Sequence, residues 1–380
     1  MGAYNNTKKR DLPLILKILF ILLTFIGVIL LLAVGACFIL LKGPSEKATQ
    51  LFTLSCNETS AMKWVPGLFL SEDEVNSILF PDKAVADEEG TYHIQIIGES
   101  INVSFVTSEE EQLPELSACD SSGNLSTASI SFDGTQGGNI SDSENAVSGS
   151  SDRPDYELID INEGTYKGKI LLVFDPSKVH IASIPSFGGV GWTLSQFIEE
   201  HDALACINAG GFEDENGKGK GGIPDGIVIR DGSIVYGDAG SYYKDIVGFD
   251  VGHVLHVGNM TGAQALSEGI IEGMSFSLGP VLIQNGERQS GFNSGINPRS
   301  AIGQSADGTV ILIAIEGRMI DSLGATFEDV ADIMERYGAV NAANLDGGSS
   351  SGMYYEGERI TRSCSVVGDR PLPTAIIVSR

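Results

Sequence analysis

One short segment near the C-terminus combines residue types that could do chemistry. Positions 344–349 read N-L-D-G-G-S, in which Asp346 is followed by Gly347, Gly348 and Ser349. The apolar stretch before this run is typical of a buried strand, which would deliver Asp346 to a loop. Glycine backbone can approach a ligand closely, and successive N–H groups with a serine hydroxyl can bind an anion. The run predicts either a catalytic carboxylate beside an anion site or a tight turn that Asp346 caps.

Three other apolar runs also carry polar or charged side chains at one end. The residues concerned are Asn208, Arg299, and the pair Glu316 and Arg318. A guanidinium can grip two phosphate oxygens at once, so the two arginines are candidate phosphate clamps. Because four strand ends carry such groups, we expect a single cleft assembled from distant parts of the chain.

A β-rich domain must position these residues. From position 155 onward, short apolar runs alternate with turn signals, and the D-G and N-G pairs predict hairpins. The predicted strands are 169–175, 179–184, 204–208, 227–230, 233–236, 275–278, 281–284, 300–304, 310–315, 339–345 and 374–379.

Two helices are predicted among these strands. Thr193 and Gln196 form a capping box at the start of the first, which should end near His201. Thr326 caps the second, and Gly338 ends it. Helices set among many strands without regular β-α-β alternation indicate an α+β fold, here a β-rich mixed-sheet domain with a few helices.

The N-terminal region predicts a membrane anchor. A basic cluster at 8–10 precedes an apolar stretch at 12–41, which as a helix could cross a ~30 Å hydrocarbon core. The basic cluster places the N-terminus on the cytoplasmic side. A cleaved signal peptide is the alternative, although its apolar core would be only ~7–15 residues. We interpret 1–11 as a cytoplasmic tail and 12–41 as an uncleaved single-pass signal anchor, with the chain after Lys42 extracellular.

Two segments of different composition separate the anchor from the domain. Positions 42–116 form a juxtamembrane region, in which Ser71 caps a short helix that runs to Leu79. Positions 117–153 are rich in Ser, Gly, Asn and Asp and poor in large apolar residues, so we predict a disordered acidic linker. The domain then occupies 154–380.

Composition and charge restrict the classes of ligand and partner that the chain can bind. The formal net charge of −26 repels nucleic acid, so any phosphate site must be locally basic. The five histidines lack zinc-type spacing, and we predict no cofactor; the alternative is a divalent cation at 214–217, a run that lacks the full EF-hand pattern. The five cysteines form no evident disulfide framework. Cys206 is expected to be a free buried thiol, and a Cys56–Cys119 disulfide is an alternative.

The ordered set of motifs resembles the phosphodiester glycosidase family. The motifs are I-N-A-G-G-F at 207–212, G-G-I-P-D-G at 221–226, N-P-R-S-A-I-G-Q at 297–304, E-G-R at 316–318, N-L-D-G-G-S-S-S at 344–351 and G-D-R-P-L-P-T-A-I-I-V at 368–378. The resemblance covers roughly position 156 to the C-terminus. One departure is visible, since the family usually has D-G-R where this chain has Glu316, which keeps the charge with altered reach.

The resemblance implies cleavage of the bond between a sugar C1 and a phosphodiester. A carboxylate can stabilise or trap the oxocarbenium-like state of that reaction, and Asp346 and Glu316 are the predicted catalytic residues. The predicted substrate-binding residues are Asn208, Gly210, Asp225, Arg299, Arg318, Gly347, Gly348, Ser349 and Arg370.

Several of these assignments have structural alternatives. Glu316 could instead pair with Arg299 or Arg318, and Arg370 could pair with its neighbour Asp369 at the surface. Asn208 could brace two loops instead of binding a sugar hydroxyl or the attacking water.

The sequence therefore predicts a membrane-anchored extracellular hydrolase that acts on a sugar-1-phosphodiester in a cell-wall polymer or exopolysaccharide. One alternative is a non-catalytic carbohydrate-binding protein in envelope assembly. The other is a phosphodiesterase that cleaves P–O instead of C–O. The sugar, its anomeric configuration, the stereochemical outcome and the oligomeric state are left open.

Overall fold

The computed structural model describes residues 14–59, 62–81, 154–365 and 368–380. The predicted linker at 117–153 and Cys119 lie outside these ranges. The described residues of two segments far apart in sequence, Met1–Pro81 and Pro154–Arg380, belong to one compact unit.

Six helices are present in the described residues. They are α1 (Leu14–Lys42), α2 (Glu46–Asn57), α3 (Glu72–Leu79), α4 (Leu194–His201), α5 (Gly262–Ser267) and α6 (Phe327–Arg336). The predicted caps are confirmed, because Ser71, Thr193 and Thr326 each accept a backbone N–H at the start of α3, α4 and α6. Helix α5 was not predicted, although Thr261 and Gln264 form the same capping box.

The strands, in chain order, occupy the remainder of the domain. They are β1 (Tyr156–Asn162), β2 (Lys167–Val173), β3 (Val179–Ser183), β4 (Ala205–Asn208), β5 (Val228–Arg230), β6 (Ser233–Tyr236), β7 (Tyr242–Asp250), β8 (Leu255–Thr261), β9 (Ile270–Ser275), β10 (Val281–Gln284), β11 (Glu287–Arg288), β12 (Arg299–Ser305), β13 (Val310–Ile315), β14 (Ala339–Asn344), β15 (Met353–Tyr355), β16 (Glu358–Arg359) and β17 (Thr374–Val378).

These strands form three sheets in the described residues. The first has the order β1-β2-β13-β12-β14-β10-β11, the second β16-β15-β4-β17-β3, and the third β6-β5-β9-β7-β8. The strand pairs are antiparallel, as in the β12–β13 and β12–β14 ladders. The α+β class predicted from the sequence is confirmed.

Two differences from the predicted strands have local causes. The strand predicted at 275–278 is wrong, since β9 ends at Ser275 and the N–H of Gly279 closes a turn onto the carbonyl of Phe276. Strand β7 was missed because a bulge interrupts its pairing with β8 between Tyr243 and Ile246. Asp245 in that bulge has φ +50, and such an irregularity breaks the alternating pattern on which strand prediction depends.

Alternation along the strands builds a core with several layers. Leu171 and Val173 of β2 face a central cluster that all three sheets share, with Ile207 of β4 and Val247 of β7. Ile170 faces the opposite side of the first sheet, where the apolar face of α6 covers it. Helices α4 and α5 cover the second and third sheets in the same way. The sheets are therefore held rigidly against one another, which fixes the loops at their ends.

Helix α1 differs from the others because its apolar side chains are exposed. Among the described residues, it is the only helix long and apolar enough to cross a membrane. Its length and composition fit either a membrane anchor or a signal sequence. Helices α2 and α3 follow it, pack against each other, and are hydrogen-bonded to the domain.

Candidate active site

Four strand ends converge at one edge of the first sheet. In the ladders of β12, Arg299 faces Ile315 of β13 and Ala301 faces Asn344 of β14. The start of β12 therefore lies beside the ends of β13 and β14. The N–H of Asp346 donates to the carbonyl of Ala209, 2.9 Å away, which brings in the end of β4 from the second sheet. The structure thus brings together segments that the sequence predicted would meet.

Asn208 lies at the centre of this junction and is fully buried. Its Nδ2 donates to the carbonyl of Asp346 at 2.5 Å, and its Oδ1 accepts from Ser300 Oγ at 2.7 Å and from the Gly352 N–H at 3.1 Å. The side chain joins the two loops at Asp346 and Gly352 to strand β12, which fits the bracing role considered for it as the alternative. Its predicted role in substrate binding stays a prediction and would require one of these bonds to open.

Asp346 is partly buried at the start of the glycine loop. Its Oδ1 accepts the N–H of Gly347 at 2.9 Å. Burial raises the pKa of this carboxyl to about 6, against the opposing effects of hydrogen bonds from Ser350 and Gly347 and of the Arg370 charge. A carboxyl with such a pKa exchanges its proton near neutral pH, a property common in catalytic groups.

The glycine loop itself makes internal contacts and lies under an arginine. Gly348 has φ +62, a conformation that favours glycine, and its N–H donates to the carbonyl of Pro298 at 3.0 Å. A Cβ on Gly348 would lie 3.2 Å from Nη2 of Arg318. The exposed guanidinium of Arg318 also bonds Asn297 and Thr59. Arg318 therefore offers a positive charge directly over the loop.

Arg370 approaches the loop from another side. Its guanidinium forms a two-pronged ion pair with Asp214, at 2.7 Å on each oxygen, and lies over the ring of Phe212. Its Nη1 is 3.5 Å from Ser349 Oγ. The alternative pairing with Asp369 is wrong, because Asp369 instead pairs with Arg359.

Three guanidinium groups lie around the loop in a strongly acidic chain. Arg318 lies over Gly348, Arg370 approaches Ser349, and Arg359 donates to the carbonyl of Ser351 at 2.9 Å. Guanidinium groups bind phosphate well. Because Arg370 is paired with Asp214 and Arg359 with Asp369, a phosphate here would meet the charge of Arg318 most directly.

Glu316 is held by an arginine that the sequence did not point to. Its Oε1 accepts the backbone N–H of Arg362 at 2.8 Å, and its Oε2 accepts from the guanidinium of the same residue at 2.7 Å. The carboxylate is 9% exposed, and its ion-pair partner is Arg362 instead of Arg299 or Arg318. Its predicted catalytic role stays a prediction, although the observed contacts fit an anchor for the loop after β16.

A matched pair of variants separates these two roles. If Glu316 is an anchor, Glu316→Gln and Arg362→Gln should lower the free energy of unfolding by similar amounts, about 1–2 kcal/mol each. Both should then keep kcat within ~10-fold, because neither removes a group that contacts the reacting atoms. Urea denaturation and steady-state kinetics would measure the two effects. A loss of ~10³-fold in Glu316→Gln alone would assign the carboxylate to catalysis.

Arg299 is buried, and its guanidinium pairs with Glu58 of the N-terminal region. It is 4% exposed, stacks 3.9 Å from the ring centre of Phe327, and donates to the carbonyls of Ala325 and Gly295. Its Nη2 also lies 2.7 Å from Oε2 of Glu58. The predicted phosphate clamp would therefore require Glu58 to leave. In the observed arrangement, Arg299 joins the helix α2 to the domain.

Asp225 is half-buried, whereas Gly210 is buried just after β4. Asp225 accepts a hydrogen bond from Ser277 Oγ, and its backbone N–H donates to Gly211. The N–H of Gly210 donates to Thr374 Oγ1 at 3.0 Å, and a Cβ there would meet the carbonyl of Ser275. Gly210 permits close packing of backbone, whereas Asp225 remains a candidate for contact with a ligand.

The contacts of Asp214 argue against the alternative of a divalent cation at 214–217. Both of its carboxylate oxygens bind Arg370, and one also accepts the N–H of Gly219. Within the described ranges, no group of three or more His, Cys, Asp or Glu side chains could hold a metal ion. Cys206 is a free buried thiol, as predicted.

Comparison with known proteins gives a family match over the C-terminal part of the chain. The model of the phosphodiester glycosidase family matches residues 201–379. The SPbeta prophage-derived uncharacterized protein YomE of Bacillus subtilis strain 168 is 32% identical over 179 residues. That alignment covers 44% of this chain and only 27% of the relative.

Two solved structures are also similar. The zebrafish N-acetylglucosamine-1-phosphodiester alpha-N-acetylglucosaminidase catalytic domain, auto-inhibited by its pro-peptide, aligns with a TM-score of 0.48 and 21% identity, covering 60% of this chain and 85% of that one. A putative exported protein from Burkholderia pseudomallei K96243 aligns with a TM-score of 0.43 and 17% identity, covering 57% and 74% of the two chains. The match to the phosphodiester glycosidase family model thus covers residues 201–379, which carry Asp346 and its surrounding arginines.

Proposed function

We propose that the protein is a membrane-anchored hydrolase that cleaves the C1–O bond of a sugar-1-phosphodiester. The sugar-1-phosphate links of cell-wall polymers or exopolysaccharides are the proposed substrate class. The observation that carries the proposal is the partly buried Asp346, with a pKa of about 6, on a glycine loop that arginines surround. The family match over 201–379 supports a glycosidase-type hydrolase.

Each group has a distinct role in the proposed reaction. The carboxylate of Asp346 stabilises the positive charge that develops at C1 as the bond to the phosphate oxygen breaks. Arg318 and Arg370 hold the phosphate and stabilise the charge that it gains on leaving. The oxygen of water becomes the hydroxyl on C1, one of its protons passes to solvent, and the phosphate leaves as a monoester.

The topology of the proposed enzyme follows from α1. A helix of this length exposes apolar side chains that lipid would cover, and the basic residues before it favour a cytoplasmic N-terminus. The domain would then face outward, where such polymers are found.

Hydrolysis in oxygen-18 water tests the reaction. A methyl phosphodiester of N-acetylglucosamine-1-phosphate should give labelled sugar and unlabelled phosphate monoester, which mass spectrometry distinguishes. Label in the phosphate would show a P–O cleaving phosphodiesterase instead. Binding of a broad panel of such diesters without turnover would favour a non-catalytic carbohydrate-binding protein.

A further inference from the structure

An exposed apolar surface lies beside the end of α1. Trp64 and Leu68, which we call the interfacial patch, are 65% and 66% exposed. Phe69, next to Leu68, contacts Phe38 of α1 ring to ring at 6.5 Å. Phe69 thus holds the segment that carries the patch against the exposed apolar side chains of α1.

The connection between α1 and α2 is packed closely. Leu41 is buried, and the hydroxyl of Thr49 in α2 donates to the carbonyl of Leu40 at 3.0 Å. Lys42, the last residue of α1, forms a 2.8 Å ion pair with Glu74 of α3. The helices after α1 are therefore held against its end instead of hanging from a free linker.

The opposite end of α2 is held by the candidate site. Glu58 accepts the N–H of Gly295 at 2.7 Å, Asn297 Nδ2 at 2.8 Å and Arg299 Nη2 at 2.7 Å. The hydroxyl of Thr59 accepts from Arg318, the arginine that lies over the glycine loop.

A second set of contacts holds α2 and α3 against the domain. Ser55 Oγ accepts the N–H of Ile296 at 2.8 Å. A Cβ on Gly295 would lie 2.2 Å from the backbone nitrogen of Ser55, so only glycine allows this approach. Asn293 donates to the carbonyls of Ile78 and Leu79 at the end of α3. Helices α2 and α3 are therefore an integral part of the domain surface.

These contacts limit the height of the site above the membrane. Helix α2 has 12 residues. At ~1.5 Å per residue its two ends are about 18 Å apart. The arginines at its far end consequently lie no more than about one short helix from the end of α1. A phosphate that reaches them must approach the bilayer closely.

We propose that the interfacial patch lies in the headgroup layer of the bilayer that α1 enters, and that the site is thereby held at the membrane surface to act on a lipid-linked sugar phosphodiester. This inference rests on the proposed function for its reaction and on α1 as an anchor for its geometry. Tryptophan favours the membrane interface, where its apolar ring lies among the acyl chains and its N–H meets hydrated headgroups. The aglycone of the substrate would remain in the bilayer while its phosphate enters the site.

The two tryptophans of the chain allow a direct test of the patch. The full-length protein is reconstituted into phosphatidylcholine vesicles whose acyl chains are brominated close to the headgroups. In the variant Trp192→Phe, the bromine atoms should quench about half or more of the fluorescence of the remaining Trp64. In the matched control Trp64→Phe, the remaining Trp192, which packs on Phe197 beside α4, should be little affected. Equal quenching of both, or of neither, would overturn the placement of the patch, whether or not the protein is active.

A second experiment tests the consequence for substrate choice. A flexible Gly/Ser segment of about ten residues, which as a coil spans roughly 17 Å, is inserted after Gly43 to release the domain from α1. Hydrolysis of prenyl-linked N-acetylglucosamine-1-phosphate in vesicles should fall about 10-fold, because the local substrate concentration falls. Hydrolysis of the soluble methyl diester should stay within ~2-fold.

The matched control is the same insertion between positions 117 and 153. Because the segment at 46–81 already connects α1 to the domain, this insertion should leave the hydrolysis rates of both diesters unchanged. An insertion after Gly43 that lowers both rates equally, or neither, would overturn the inference about substrate while leaving the reaction intact. If the unmodified protein hydrolyses neither diester, the proposed function is wrong, and the lipid-linked substrate with it. The placement of Trp64 in the headgroup layer would still stand on the quenching result.

Discussion

Replacing Asp346 with Asn should lower kcat about 10³-fold, with a small change in KM. The carboxylate interacts most strongly with the charge that develops at C1, so its loss raises the barrier to the transition state more than it weakens substrate binding. A factor of ~10³ corresponds to ~4 kcal/mol, a plausible amount for one preorganised electrostatic group. Steady-state kinetics on the methyl diester would measure the change.

The same substitution should stabilise the protein at neutral pH. The folded-state pKa of Asp346 is raised to about 6, so its favourable contribution is present below about pH 4 and is lost as pH rises through 6. At pH 7 the ionised carboxylate costs stability, and Asp346→Asn should raise the free energy of unfolding by about 2 kcal/mol. Because the reaction needs the ionised form, kcat/KM of the unmodified protein should fall as pH drops below about 6.

The control is Asp160→Asn, which makes the same change at an exposed carboxylate. That variant should match the unmodified protein in kcat and in melting temperature. A less stable Asp346→Asn protein would show that the carboxylate mainly caps the turn. A stable protein with unchanged kcat would transfer the catalytic role to Glu316 and leave the glycine loop as an anion site.

Replacing Arg299 with Met should destabilise the protein by about 3 kcal/mol. The change removes the donor from the carbonyls of Ala325 and Gly295 and leaves the carboxylate of Glu58 without its cation. Breaking a buried ion pair from one side is costly because a charge remains unpaired. Chemical denaturation of the full chain in nanodiscs would measure the loss.

Two controls separate this effect from a general loss of charge. Arg336→Met makes the same change in an exposed ion pair with Glu163 and should cost less than ~0.5 kcal/mol. In the double variant Arg299→Met with Glu58→Gln, part of the lost stability should return, because the unpaired charge is gone. If Arg299→Met instead melts like the unmodified protein and only loses affinity for the diester, Arg299 acts as the phosphate clamp that the sequence predicted.

The sequence by itself determined the local features of the protein. Capping residues located the starts of α3, α4 and α6, since a cap is a contact between residues three positions apart. Apolar runs located most strands of the domain, and the sustained apolar stretch of α1 needs no partner to be recognised. The glycine loop was recognisable because its carboxylate, glycines and hydroxyls are adjacent in the chain.

The tertiary structure decided which charged groups meet. Glu316 pairs with Arg362, Arg370 with Asp214, and Arg299 with Glu58, and each pair is separated by many residues in sequence. A carboxylate has the same local signature whichever arginine it will meet, so its partner depends on how the sheets pack. The tertiary structure also docks α2 and α3 beside the site, through contacts such as the one between Glu58 and Arg299. The sequence did not indicate this docking, because a single contact between distant residues leaves no periodic pattern.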